Sequence, residues 1–101
     1  MSSAMDIETR TAHAAAIAAA LRADDLCARV EMEADTSSDD VYAEDMAVVH
    51  VWRELGRGRT QEMAVVWVDG DGDIMGRDCT RRVAHIMAVA AEATGCPIYR
   101  G

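Results

Sequence analysis

Residues Met46 to Val68 read MAVVHVWRELGRGRTQEMAVVWV, and this stretch decides the fold. Two runs dense in Val, Met and Trp flank Gly56-Arg57-Gly58-Arg59. β-Branched and aromatic side chains suit a pleated backbone, and the glycines supply the positive φ of a tight reversal. The pattern predicts a hairpin: a strand from about Met46 to Glu54, a turn, and a strand from Glu62 to Val68. Both runs are nearly continuous in apolar residues, which places them centrally in a sheet.

Upstream, Leu26, Ala28, Val30, Met32 and Ala34 alternate with Cys27, Arg29, Glu31, Glu33 and Asp35. A period of two marks a strand with one buried and one wet face. The polar Thr36 to Asp40 follows as a loop. Before this strand, Ile7, Ala14, Ile17, Ala18 and Leu21 fall at helical spacing, predicting a helix from about Ala4 to Arg22 opened by a capping box of Ser3 and Asp6. His13 and Arg10 lie off its stripe, toward solvent.

Downstream, Asp69-Gly70-Asp71-Gly72 ends the hairpin, and Asp73 to Gly76 is a candidate short fourth strand. Asp78 is placed to cap a helix with the stripe Cys79, Val83, Ile86, Met87 and Ala90. Gly95 would close that helix, Pro97 bars its continuation, and Ile98 to Arg100 suits a short edge strand. The expectation is an α+β two-layer sandwich: helix, three or four antiparallel strands, helix, in a single domain spanning residues 1–101. Both helices fit most simply on one face of the sheet. The double-stranded-RNA-binding fold shares this order, but a net charge of −8 opposes its ligand.

A chain of 101 residues buries roughly 65% of the surface its extended form exposes, enough for one modest core. Half of it is apolar, yet Phe is absent and aromatics are 4%, so Val, Ile, Leu, Met and Ala must pack closely. No run approaches the roughly 18–20 apolar residues of a membrane span. The cysteines, Cys27, Cys79 and Cys96, are odd in number and widely spaced, which suits packed thiols in a reducing compartment. We expect a cytoplasmic protein.

Chemical motifs are missing from the reading. Asp69, Asp71 and Asp73 open like an EF-hand loop, but the sixth position is Ile74 and the twelfth Thr80, where a turn glycine and a two-oxygen glutamate are needed. His13, His50 and His85 have no second ligand at metal spacing, and His85 reads as a surface partner of Glu92. No serine or cysteine sits in a nucleophile context. We therefore expect no enzyme activity, no cofactor and no metal.

Two features point to a partner. The segment from Asp24 to Asp45 holds nine acids against one base, Arg29, while the remaining residues are balanced, so the entire net charge lies in this segment. Charge of that sign attracts basic surfaces and repels nucleic acid and anionic membrane. Glu31 and Glu33, spaced about 6.6 Å apart along one strand face, extend through Asp35, Asp39, Asp40, Glu44 and Asp45. They form a candidate row of charge presented to a phosphate-binding groove, which would block a nucleic-acid-binding protein by mimicry. In size, acidity and lack of a chemical site the chain resembles small phage-encoded inhibitors, including anti-CRISPR proteins.

The second feature is the hairpin's other face. If the helices cover Ala47, Val49, Val51, Ala64, Val66 and Val68, then Met46, Val48, His50 and Trp52 on one strand and Met63, Val65 and Trp67 on the next are left on the open side. A wet patch of that kind suits self-association as a homodimer, with Trp52, Trp67 and His50 at its centre. The reverse assignment puts both tryptophans in the core.

Overall fold

The computed structural model describes residues 6–34 and 45–100. Asp6 caps the first helix, α1 (Ile7–Ala23), accepting a 2.7 Å hydrogen bond from the Thr9 amide. That amide holds the Asp6 carboxyl below the usual carboxylate range. Asp6 is thus the cap itself, where the capping-box reading made it the third residue of the helix; Ser3 lies outside the described residues. Ala14, Ile17, Ala18 and Leu21 form the buried stripe, as their spacing predicts.

Four strands follow: β1 (Cys27–Ala34), β2 (Asp45–Gly56), β3 (Arg59–Val68) and β4 (Ile74–Arg77), and the last helix is α2 (Val83–Thr94). The strands form one antiparallel sheet in the order β1-β2-β3-β4, with the hairpin strands in the centre. Gly56 and Gly58 take φ of 86° and 73° at the turn, the left-handed backbone that glycine adopts without Cβ strain. Ile98 makes one parallel bridge to Ile74 on the far side of β4.

Both helices lie on one side of the sheet. Ala28, Ala47, Val49, Val51, Ala64, Val66, Val68 and Ile74 meet Ile17, Leu21, Ile86 and Ala90 in a single core. The tryptophans are therefore on the face away from the helices. Alanine on α1 lets that helix approach closely, since short side chains hold the layers near one another.

Three local expectations are corrected. A register shift between Val51 and Trp52 makes Met63 an extra residue on β3, and it turns into the helix-side core with no exposed surface. An added residue at a bulge re-aims the side chains that follow it. Asp78 does not cap α2: its φ is 51°, Thr80 donates its amide to Met63 O at 2.9 Å and its hydroxyl to Glu62 O at 3.0 Å, and the helix starts only after Arg82. Thr80 thus pins this segment to β3, and the chain turns into the helix at Arg82, whose φ is 52°. Arg10, read as solvated, donates its Nε to Val68 O at 3.0 Å and ties α1 to the end of β3. The helix ends as its sequence predicts, at Gly95 with φ 74° and its amide donating to Ala91 O.

Candidate functional site

The alternation of β1 aims Arg29, Glu31 and Glu33 to the face away from the helices, and that of β2 aims Met46, Val48, His50 and Trp52 there too. Val65 and Trp67 join them from β3, and Arg77 from β4, opposite Val65. Residues read separately as an acidic row and as a tryptophan patch therefore share one surface.

The acids on this surface are not bare. Arg29 Nη2 lies 2.6 Å from Glu31 Oε1, and His50 Nε2 lies 2.8 Å from Glu31 Oε2. His50 Nε2 is buried and, for all its nearness to Glu31, makes no hydrogen bond among the described residues. Arg77 Nη2 donates to both Glu33 oxygens, at 2.6 and 2.9 Å.

That last pair shapes the whole face. Arg77 is on one edge strand and Glu33 on the other, and Arg77 stands in the row of Val65, His50 and Arg29 while Glu33 stands opposite Met46. The edges are three strand spacings apart, about 14 Å in a flat sheet. Only a twisted sheet whose opposite corners curl toward one another lets these side chains meet. The bond then runs obliquely above β2 and β3, over the cluster of Met46, Val48, Val65 and Trp67.

The burial follows: Val48 is 0% exposed, Val65 5% and Met46 8%, with Ile7 packed beside them. The large wet apolar patch expected from the sequence is corrected accordingly. Its aliphatic members form a second small core under an ionic strap, and only Trp52, Trp67 and His50 remain half-exposed.

Beside the strap the face opens into a shallow cavity of about 270 Å³ lined by Arg29, His50, Trp52, Thr60 and Glu62. The Arg29 guanidinium lies over the Trp52 ring, 5.6 Å from its centroid, where the π cloud attracts a cation. The cavity thus joins an aromatic wall to fixed charges of both signs.

Asp35, Asp39, Asp40 and Glu44 lie outside the described residues, and Asp45 is described only as the first residue of β2. Asp24 is drawn away from the acidic row by a hydrogen bond between its Oδ2 and His85 Nε2, which replaces the expected pairing of His85 with Glu92. The acidic turn folds on itself: Asp69 Oδ1 accepts from the amides of Asp71 and Asp73 at 3.0 and 2.9 Å. Among the described residues no three His, Cys, Asp or Glu side chains gather to hold an ion, and no helix is long and apolar enough to cross a membrane. Burial pushes the Cys79 thiol up, with the Asp78 carboxylate adding to the effect. Sequence reasoning passed over Thr60 and Glu62, and nothing local marks them; the hairpin register alone brings them beside Trp52. No family model, curated protein or solved structure matches this chain.

Proposed function

We propose that this chain is a non-enzymatic protein-binding module whose contact surface is the outer sheet face around Trp52. The carrying observation is the half-exposed Trp52 ring beneath Arg29, beside a cavity walled by His50, Thr60 and Glu62. Tryptophan and arginine are the side chains that most often dominate binding energy when a partner dries them. The net charge of −8 favours a partner with a basic surface, and its field speeds encounter at low salt.

Mimicry of phosphate as an inhibitor of a nucleic-acid-binding protein is the finer form of this proposal. Glu31 and Glu33 are paired with Arg29 and Arg77, so that form rests on Asp35, Asp39, Asp40, Glu44 and Asp45. Self-association through Trp52 and Trp67 is the second reading, favoured by their shared half-exposure on one face.

The test is retention of host proteins on immobilised wild type, Trp52→Ala and a helix-side control, Ala19→Ser, washed at graded salt. The proposal expects a protein kept by wild type and the control, lost by Trp52→Ala, and released as salt rises. Equal retention by all three chains contradicts it. Sedimentation velocity addresses the second reading: a concentration-dependent dimer abolished by Trp52→Ala supports it, and a monomer at every concentration removes it.

A further inference from the structure

On the other side of the sheet, where α2 begins, Arg53, Met63, Thr80, Arg81 and Arg82 line a cavity of about 280 Å³. Arg53 follows the core residue Val51 on the helix side of β2, and the Thr80 hydrogen bonds to β3 bring Arg81 and Arg82 up against it. Among the described residues no carboxylate pairs with any of the three. Arg53 Nε donates to Gln61 Oε1 at 2.7 Å, which fixes its stem and leaves both terminal nitrogens to donate elsewhere.

The chain has 18 acids, yet among the described residues none pairs with these three clustered cations. Gathering like charges costs free energy, and among the described residues no side-chain hydrogen bond or ion pair of the two adjacent guanidiniums offsets it. We infer that this cavity binds a phosphate-type oxyanion.

Guanidinium forks match the oxygens of phosphate two at a time, and three of them exceed what one carboxylate, with two oxygens and one charge, can satisfy. A dianion with three or four oxygens fits. The cavity falls just below the roughly 300–1,000 Å³ of sites for drug-sized ligands, which suits a phosphoryl group more than a whole large ligand. The α2 start has no side-chain cap, so its free amides add to the positive field; the three side chains define the site. It is separate from the Trp52 face and does not depend on it.

The experiment is a titration of the full chain, followed by amide chemical shifts at constant ionic strength, with inorganic phosphate, pyrophosphate, acetate and chloride as probes. The expected result is saturable change centred on Thr80, Arg81, Arg82 and Val83, tighter for pyrophosphate than for phosphate and absent for acetate and chloride. Arg81→Gln and Arg53→Gln should each weaken phosphate by about ten-fold, the scale of a charge-assisted hydrogen bond. Arg59→Gln, which removes the same charge outside the cavity, should bind within about two-fold of wild type. Linear change without saturation, equal response to acetate, or equal loss in Arg59→Gln overturns the proposal. A well-dispersed spectrum of each variant shows that the fold is kept; if Arg81→Gln unfolds, Arg53→Gln and Arg59→Gln decide alone.

Discussion

Cutting the Glu33 to Arg77 strap should loosen one whole face of the sheet. The two hydrogen bonds are short, at 2.6 and 2.9 Å, but the side chains are 28% and 44% exposed, so water screens them. Exposed pairs contribute roughly 0.2–1 kcal/mol, and the two-oxygen contact over an apolar floor argues for the top of that range, about 1 kcal/mol. Glu33→Gln should cost about that much. Arg77→Ala should cost more, about 2 kcal/mol, because the alkyl stem opposite the buried Val65 is lost with the charge, and full burial of a valine contributes about 1.5–3 kcal/mol. A double-mutant cycle in urea measures the coupling. It should be about 1 kcal/mol at low salt and fall well below half of that in 1 M salt, where the screening length is about 3 Å. For a chain of this size 1 kcal/mol corresponds to about 4–8 °C in Tm. Single losses that add within about 0.3 kcal/mol, at either salt concentration, refute the idea that opposite corners of the sheet are tied together.

Other consequences are more local. Ile17→Ala opens a fully buried site between α1 and the sheet and should cost about 2–5 kcal/mol by denaturant titration. At Gly76 an added Cβ would strike the Met87 terminal methyl and lie 2.9 Å from Cys79 Sγ; Gly76→Ala should cost about 1–3 kcal/mol, and the cost should shrink in a Met87→Ala background. Asp6 titrates lower in the folded chain than in the unfolded one, so its cap stabilises fully above the unfolded pKa and is lost as pH falls through the folded one. The stability gap between wild type and Asp6→Ala should therefore be open at neutral pH and closed in acid, as read by urea midpoints. Burial and Asp78 both disfavour the Cys79 thiolate, so Cys79 should alkylate more slowly at pH 8 than a free cysteine peptide.

The architecture was legible where local pattern and tertiary burial agree. Two runs of Val and Trp around Gly56 and Gly58 made a hairpin, alternation from Leu26 made β1, and Gly95 closed α2. What stayed hidden depends on contacts distant in sequence. The bulge that turns Met63 inward is a matter of register between strands, and Met63 itself carries no sign of it. Glu33 and Arg77 are 44 residues apart, and only the twist of the finished sheet brings them together. The same pairing explains why the acidic row on β1 is not bare: a run of carboxylates in the sequence says nothing about cations arriving from other strands. Thr80 delayed α2 in the same way, by bonding to β3 where local preference for Asp78 as a cap would have started the helix. Trp52, Trp67 and His50 were legible as one face, whereas Thr60, Glu62 and Arg29 completed its cavity only through the pairing of β2 with β1 and β3.

The most direct test of the binding face is site-specific photo-cross-linking in host lysate, with the reactive group placed at Thr60 on the rim of the Trp52 cavity or at Ala19 on the exposed side of α1. The account predicts a discrete adduct from position 60 that disappears when Trp52→Ala is added, and none from position 19. Adducts formed equally from both positions, or from position 19 alone, would contradict it.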